Sequence, residues 1–290
     1  MTAKILDGQW LARQILDRLK EEIRLAPRVP GLCAIQVGQD PASQIYVRNK
    51  IKCAAEIGIH SVHHALSEQT SEQELLELIN KMNQDPQIDG ILVQLPLPAH
   101  ISTEKVIRTI SPLKDVDGFH PENIGLLSIG KPRFIPCTPK GCMRLIEISG
   151  LNLAGVNAVV VGRSNIVGKP MAQLLMNSEA TVTVCHKQTR DLKSFTRQAD
   201  LLVVAAGSPH LIKADFVKPG AVILDVGINR LPTGKLIGDV DTEGVIEVAQ
   251  AITPVPKGVG PMTTAMLMEN TWLAMSCENR LNTQHCRLRP

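Results

Sequence analysis

The sequence has few aromatic residues and little net charge. Phenylalanine, tryptophan and tyrosine together make up 2% of its 290 residues, and the 31 basic and 28 acidic side chains leave a net charge of +3. Stacking platforms for single-stranded nucleic acid need aromatic side chains, and binding to a phosphate backbone needs an excess of basic ones. We therefore expect no nucleic-acid partner.

Long apolar runs and paired cysteine motifs are also missing. No apolar run approaches the length of a membrane span, and residues 1–8 carry charges where a signal peptide needs its apolar segment. The seven cysteines are scattered, with no C-x-x-C pair and no neighbouring histidine cluster. We expect reduced thiols in a cytoplasmic protein, with no membrane partner and no metal site.

Short apolar segments alternate with helical patterns along most of the chain, which is typical of βαβ units and a mostly parallel sheet. The chain opens with an amphipathic helix, indicated by the helical spacing of Leu11, Ile15, Leu19 and Ile23. Further helices are predicted to begin at Pro41 and Ser71, and a last helical pattern runs from about Thr263 to Cys277. The predicted strands are 31–37, 59–66, 90–95, 156–161, 181–185, 201–205 and 221–226. The fold class is therefore α/β.

A proline-dotted stretch from Ser111 to Pro139 separates the two series of strands, and we place a domain boundary there. Thr138 and Pro139 are interpreted as the N-cap and first residue of a connecting helix. Chains with two α/β domains often bind ligands in the cleft between the domains, and we expect such a cleft here.

The segment 156–170 predicts a buried strand, a glycine turn and a helix with Pro170 in its first turn. A helix that begins at such a turn presents N–H groups and a partial positive charge to a nucleotide phosphate. Gly162 and Gly168 bound the turn, and Ser164 stands where G-x-G-x-x-G has its middle glycine. A plain strand–turn–helix is the alternative interpretation.

The next predicted strand ends without the carboxylate that binds ribose hydroxyls in an NAD site. His186 and Lys187 follow that strand instead, and Arg163 lies in the glycine turn. Cations suit the ribose phosphate of NADP, so we predict NADP rather than NAD as the cofactor. Lys187 could equally be a solvated surface lysine.

In the first half, Tyr46 and Lys50 lie one helical turn apart and share a face of the predicted helix. A phenol beside an ammonium group can transfer protons. Gln94 ends a buried strand, where parallel sheets place ligands, and Asp117 offers a carboxylate in a loop bounded by glycine. The alternatives are a surface tyrosine with a solvated lysine, and an aspartate that only forms a turn.

Six motifs in register carry a family resemblance that covers nearly the whole chain. The chain resembles the bifunctional methylenetetrahydrofolate dehydrogenase/cyclohydrolase family, commonly called FolD. The motifs are S-x-x-Y-V-x-x-K at Ser43–Lys50, V-Q-L-P-L-P at Val93–Pro98, K-D-V-D-G-F at Lys114–Phe119, P-C-T-P-K-G at Pro136–Gly141, V-G-R-S-x-x-V-G-x-P at Val161–Pro170 and P-V-P-x-G-V-G-P-M-T at Pro254–Thr263.

The resemblance implies oxidation of 5,10-methylenetetrahydrofolate with NADP+, then hydrolysis of the methenyl product to 10-formyltetrahydrofolate, in one-carbon metabolism and purine biosynthesis. It implies an N-terminal catalytic and folate domain (residues 1–137 and 272–290), a C-terminal Rossmann-type NADP-binding domain (residues 138–271) and a homodimer. The implied catalytic residues are Lys50, Tyr46, Gln94 and Asp117, with Tyr46, Gln94, Asp117 and Pro261 binding substrate. The implied cofactor-binding residues are Gly162, Arg163, Ser164, Val167, Gly168, His186, Lys187, Gly227 and Ile228.

The chain departs from the family pattern at Lys257, where P-V-P-G-G-V-G-P-M-T has its first glycine. If the backbone there needs a positive φ, lysine costs roughly 1–2 kcal/mol; otherwise it adds a charge near the site. The Gly238–Asp241 segment matches the family, and we expect it to line the cofactor side.

Two other functions remain as alternatives. A dehydrogenase without cyclohydrolase activity could keep the same fold, but the intact Tyr46, Lys50, Gln94 and Asp117 argue against it. An NADP-binding sensor without catalysis would have no reason to carry Lys50 together with Asp117.

Overall fold

The computed structural model describes residues 2–281, so the predicted segment 272–290 lies outside the described residues from 282 onward. The chain divides into two compact α/β units. The three-stranded unit comprises Gln14–Leu126, Pro132–Ile135 and the chain from Leu267 onward; the six-stranded unit comprises the chain up to Arg13, Leu127–Lys131 and Pro136–Met266. The predicted fold class is confirmed, and the predicted domain bounds stay a prediction.

Helices and strands alternate along the chain. In chain order they are β1 Lys4–Ile5, α1 Gly8–Arg24, β2 Gly31–Val37, α2 Pro41–Ile57, β3 His60–Leu66, α3 Glu72–Gln84, β4 Gly90–Val93, α4 Thr103–Thr109, α5 Pro121–Ser128, α6 Cys137–Ser149, β5 Asn157–Val161, α7 Gly168–Asn177, β6 Thr181–Cys185, α8 Leu192–Thr196, β7 Leu201–Val204, a 3₁₀ turn Ala214–Phe216, β8 Val222–Asp225, β9 Asn229–Arg230, β10 Leu236–Ile237, α9 Thr242–Val245, β11 Ala251–Ile252 and α10 Val259–Leu281.

The three-stranded unit has a parallel sheet of order β3-β2-β4. Every residue of the central strand β2 is buried, as expected for a parallel strand with both faces covered. The core packs α3 and α4 against the sheet, with Ile35 and Ile91 meeting Ile79 and Val106. The carboxyl ends of β2 and β4 therefore lie at one edge, held by buried apolar contacts.

The larger sheet is parallel, with the order β1-β11-β8-β7-β5-β6. After β5 the chain adds β6 on one side and β7 on the other, so the strand order reverses between β5 and β7. Ligands of doubly wound sheets bind at such a switch point, beyond the carboxyl ends of the strands. Val159, Leu202, Ile223 and Val245 belong to its core.

The helix starts agree with the sequence at two positions and disagree at a third. The Asp40 carboxylate accepts a hydrogen bond from Ser43 N at 2.7 Å and begins α2, and Ser71 begins α3 in a capping box with Glu74. The Thr138 prediction was wrong: α6 already begins at Cys137, and the Thr138 hydroxyl bonds that of Thr263 at 2.9 Å.

Two further differences concern the chain ends. The two-residue strand β1, which pairs in parallel with β11, was not predicted, because two residues show no periodicity. The last helix, α10, begins at Val259 rather than near Thr263.

In the described part of the chain, no helix combines the length and apolar character needed to cross a membrane.

Lys257 does occupy a glycine-type backbone position. Its φ is +82°, and its side chain is exposed. The Lys257 carbonyl accepts a hydrogen bond from Gln9 N at 3.0 Å, which ties this turn to the start of α1. A Cβ is disfavoured at positive φ because it approaches the neighbouring carbonyl oxygen.

Replacing Lys257 by glycine should therefore stabilise the protein by about 1 kcal/mol, since it removes the Cβ strain. Urea unfolding of the Lys257→Gly variant measures the effect. Lys213 is the matched control: it is also exposed but has φ −106°, so Lys213→Gly should be neutral or destabilising. A Lys257→Gly variant less stable than wild type would contradict the strain argument.

Candidate functional site

In the three-stranded unit, helix α2 carries the tyrosine and lysine. Tyr46 is 42% exposed and Lys50 is half-buried, and one helical turn separates them. Val47 and Ala54 of the same helix are buried. The buried side of α2 therefore fixes the helix against its unit, and the more exposed side presents Tyr46 to solvent.

Lys50 and Gln94 are brought together although they lie 44 residues apart. Lys50 Nζ donates to Gln94 Oε1 at 3.1 Å, while Gln94 Nε2 donates to the Leu95 carbonyl at 2.7 Å. Lysine can only donate hydrogen bonds, so the amide must turn its oxygen to Lys50. Gln94 follows the last residue of β4, and its backbone N–H donates to Ile35 O at 2.9 Å, which extends the sheet pairing.

Asp117 lies in the loop that follows β4 and α4. It is half-buried and lines a narrow, largely apolar pocket together with Leu95, the neighbour of Gln94. Ile91, Val93 and Phe119 line the same pocket. The predicted carboxylate therefore lies at the same end of β4 as Gln94, beside an apolar wall.

A larger cavity of about 560 Å³ lies elsewhere on the three-stranded unit, lined by Gln36, Arg48 and His63 among others. It contains none of Tyr46, Lys50, Gln94 and Asp117. Size alone would favour this cavity, but it does not combine a proton-transferring lysine with a carboxylate and an amide. We therefore place the candidate site at the Lys50–Gln94 hydrogen bond.

In the six-stranded unit, the predicted glycine turn joins β5 to α7. Gly162 has φ +129°, and a Cβ there would overlap the Ala205 carbonyl; a Cβ at Gly168 would overlap the Gly162 carbonyl. Both positions therefore require glycine. The Ser164 hydroxyl accepts hydrogen bonds from Val167 N at 3.1 Å and Gly168 N at 3.3 Å, so serine stabilises the turn in place of the middle glycine.

The predicted cations lie at the same sheet edge as this turn. Val161 and Cys185 are register partners in β5 and β6, and Gly162 N donates to Cys185 O at 2.8 Å. Arg163 and Lys187 are exposed, and His186 is half-buried. The pairing therefore places all three basic side chains beyond the carboxyl ends of two neighbouring strands.

The Gly238–Asp241 segment ties loops together through two buried carboxylates. Asp225 is 1% exposed and accepts hydrogen bonds from the backbone N–H groups of Gly227 (3.0 Å), Asp239 (3.0 Å) and Val240 (2.9 Å). Asp239, fully buried, accepts from the N–H groups of residues 206–208 and from Asn229. The Asp239 carboxylate therefore faces the protein, and the expectation that the segment lines the cofactor side stays a prediction.

These carboxylates also explain why position 227, predicted to bind the cofactor together with Ile228, is a glycine. A Cβ at Gly227 would overlap the Asp239 carboxylate, and a Cβ at Gly238 would overlap that of Asp225. Ile228 itself is 44% exposed.

Pro261, the remaining predicted substrate residue, is the third residue of α10. Among the described residues, no group of three or more histidine, cysteine, aspartate or glutamate side chains could hold a metal ion.

Sequence reasoning missed the buried polar residues that hold these loops. Asp115, Asn123 and Asn270 are at most 1% exposed and bond to loop backbone, but nothing in the sequence marks them as buried. One signal was present: Asp115 shares the K-D-V-D-G-F motif with Asp117.

The described residues thus define a two-unit α/β protein with a nucleotide-type glycine turn in one unit and a lysine–amide–carboxylate group in the other. The chain belongs to the tetrahydrofolate dehydrogenase/cyclohydrolase family. The family model of the catalytic domain matches residues 6–117, and the model of the NAD(P)-binding domain matches residues 136–279. The resemblance drawn from the six motifs is confirmed.

Individual relatives are similar to this chain over nearly its whole length. The bifunctional protein FolD of Acetivibrio thermocellus is 55% identical over 97% of this chain and all of its own length. The crystal structure of the bifunctional enzyme FolD from Campylobacter jejuni has a TM-score of 0.93 at 50% identity, covering 96% of this chain and 99% of its own. The Trypanosoma brucei FolD complexed with NADP and an inhibitor has a TM-score of 0.92 at 37% identity, covering 97% and 99%.

The Asp225 carboxyl should make the stability of the protein fall as pH rises. Burial raises its pKa to about 7, and the Asp239 carboxylate adds to the increase, while the three backbone N–H groups act against it. The folded protein then holds a proton that the unfolded chain releases near pH 4, so unfolding free energy should drop by about 1.4 kcal/mol per pH unit between about pH 4 and about pH 7.

Urea unfolding at about pH 5 and about pH 7 measures this loss. At each pH the unfolding free energy of Asp225→Asn is subtracted from that of the wild type, so that the contributions of other titrating groups cancel. The Asp225→Asn variant should not show this fall in unfolding free energy between the two pH values. Equal pH slopes in the two proteins would contradict it.

Proposed function

We propose that this chain is a bifunctional folate enzyme. It oxidises 5,10-methylenetetrahydrofolate with NADP+ and hydrolyses the methenyl product to 10-formyltetrahydrofolate. The hydrogen bond between Lys50 and Gln94 beside the Asp117 pocket is the observation that carries the proposal, because it assembles proton-transfer and substrate-binding groups at one strand end. Family membership and the bifunctional relatives support it over a single-activity dehydrogenase or a sensor.

Asp117 is the proposed anchor for the pterin ring of the folate. Its carboxylate can accept two N–H groups from the amino-pyrimidinone edge, which is the geometry that carboxylates suit. Half-buried Leu95, which lines the same pocket, is the apolar side chain proposed to lie beside the ring. Tyr46, Gln94 and Pro261 are the remaining proposed substrate-binding residues.

The residues present fit NADP. The Gly162–Gly168 turn leads into the N-terminus of α7, whose N–H groups suit a pyrophosphate, and Arg163, His186 and Lys187 at the same edge suit a ribose phosphate. Ser164, Val167, Gly227 and Ile228 complete the proposed cofactor-binding set. When bound, NADP+ supplies the acceptor for the hydride that leaves the methylene carbon, and the folate nitrogens stabilise the cation that develops.

Hydrolysis is the step that needs protein groups to move protons. Water adds to the methenyl carbon and one of its two protons is released to solvent; the bond from that carbon to N5 then breaks, and the formyl group stays on N10. Lys50 is the proposed group that carries a proton from the water to N5, with Tyr46 one turn away as a second donor. Gln94 holds Lys50 Nζ in place through its amide oxygen.

Replacing Lys50 by alanine should separate the two activities. Cyclohydrolase activity should fall by about 10²–10⁴-fold, the usual contribution of a general acid–base group, while hydride transfer should fall far less because it needs position more than proton transfer. Spectrophotometry of NADPH formation and methenyl accumulation measures both activities together.

Lys52 provides the matched control for that variant. It is exposed on the same helix and pairs with Glu56 at 3.8 Å, so Lys52→Ala should leave both activities near wild type. An equal loss of both activities in Lys50→Ala would contradict the division of roles. Wild-type accumulation of the methenyl product would favour a dehydrogenase alone, and NADP binding without turnover would favour a sensor.

Arg163→Ala should weaken NADP binding by about 10- to 150-fold, because one charge-assisted hydrogen bond contributes roughly 1.5–3 kcal/mol. NAD affinity should stay the same, since NAD lacks the ribose phosphate. Calorimetric titration with each nucleotide measures this. Lys169→Ala is the control, because Lys169 is exposed on α7 and bonds Asn165 at 2.7 Å. Unchanged NADP affinity in Arg163→Ala would overturn this role.

We also propose a cytoplasmic homodimer. Five described cysteines are buried and outside any disulfide, and burial raises the pKa of Cys33 and Cys142 to about 12, which keeps both as unreactive thiols. Thiols without disulfide bonds suit a reducing compartment. The homodimer rests on the family resemblance; a monomer in sedimentation equilibrium would contradict it.

A further inference from the structure

We propose that Asp115 is a positioning residue for Asp117, acting together with Asn123 at the start of α5. The inference rests on the proposed function, because it takes Asp117 as the group that binds the pterin. The two carboxylates lie two residues apart and both line the narrow apolar pocket, but their exposures differ. Asp115 is 1% exposed, whereas Asp117 is half-buried.

Asp115 binds the three backbone N–H groups that directly follow Asp117. Its carbonyl accepts from Gly118 N at 3.0 Å, and its carboxylate accepts from Phe119 N at 3.2 Å and His120 N at 2.8 Å. Gly118 has φ +73°, so the chain turns back sharply at this point. The backbone after Asp117 is therefore wrapped around Asp115.

The backbone before Asp117 is fixed by other groups. The Lys114 carbonyl accepts from Ile91 N of β4 at 2.8 Å, which extends the sheet by an isolated bridge. Buried Asn270 donates to the Val116 carbonyl at 2.8 Å. With Asp115 on the other side, the backbone is held on both sides of Asp117, which fixes the position from which its side chain extends.

Asn123 holds the Asp115 carboxylate in turn. Its Nδ2 donates to Asp115 Oδ2 at 2.8 Å and to the Pro112 carbonyl at 2.9 Å, and its Oδ1 accepts from Arg133 at 3.1 Å. Asn123 is fully buried, so its amide cannot rotate without losing these three bonds. The orientation of the Asp115 carboxylate is therefore set by protein groups alone.

Asp89 shows what a purely structural carboxylate in the same unit looks like. It is also 1% exposed, and it accepts hydrogen bonds from Arg28 at 2.8 Å and Gly31 N at 2.8 Å. Those bonds lie at the amino ends of β2 and β4, whereas Gln94 and the Asp117 pocket lie at the carboxyl end of β4. Asp89→Asn is thus a matched control that weakens the fold away from the site.

The test compares Asp115→Asn, Asn123→Ala and Asp89→Asn in the full-length enzyme. Asp115→Asn replaces one acceptor oxygen by a donor, so the KM for 5,10-methylenetetrahydrofolate should rise about 10-fold or more, with a smaller rise in Asn123→Ala. The KM for NADP+ should not change in either variant. Asp89→Asn should lower the melting temperature and leave both KM values unchanged.

Amide hydrogen exchange measures the loop without any folate. Exchange at Phe119 and His120 should become faster in Asp115→Asn but not in Asp89→Asn. Unchanged exchange at these amides would overturn the inference, as would KM changes in Asp115→Asn that match those in Asp89→Asn. If Asp115→Asn does not fold, Asn123→Ala tests the same inference through the same measurements. A wild-type enzyme that does not turn over the folate would contradict the proposed function instead, while exchange would still decide whether Asp115 holds the loop.

Discussion

Buried carboxylates that accept backbone N–H groups at strand ends are the interaction on which both candidate sites depend. Asp115 holds the loop of Asp117, and Asp225 and Asp239 hold the loops beside Gly227. A buried carboxylate is costly unless hydrogen bonds compensate its desolvation. Because several bonds converge on each carboxylate, protein groups alone restrain the backbone of these loops.

The parallel sheets give these loops their location. Strand pairing brings Arg163 and His186 to one edge in the six-stranded unit, and it brings Gln94 and the Asp117 pocket to the carboxyl end of β4 in the other. The buried apolar strands thus define an edge at which polar chemistry can gather. The glycines at 162 and 168 have a related role, because each allows a close backbone approach that a Cβ would block.

Much of this arrangement could be predicted from the sequence. The bounds of β2 and β6 and the start of α2 agree with apolar patterning and with the Asp40–Pro41 cap, since these signals are local. Thr138 was misjudged because a capping motif can occur inside a helix whose start is set by tertiary contacts. The burial of the Asp239 carboxylate could not be predicted, because sequence does not tell which face of a loop is buried.

The sequence by itself determined the alternation of strands and helices, the glycine turn and the chemical groups available for catalysis, since each depends on residues close in the chain. Tertiary structure decided which of those groups meet. The Lys50–Gln94 bond spans 44 residues, and the Asp225–Asp239 network joins three separate loops. Whether a carboxylate is buried and bonded or exposed to a ligand depends on such distant contacts, and these exist only once the sheets have formed.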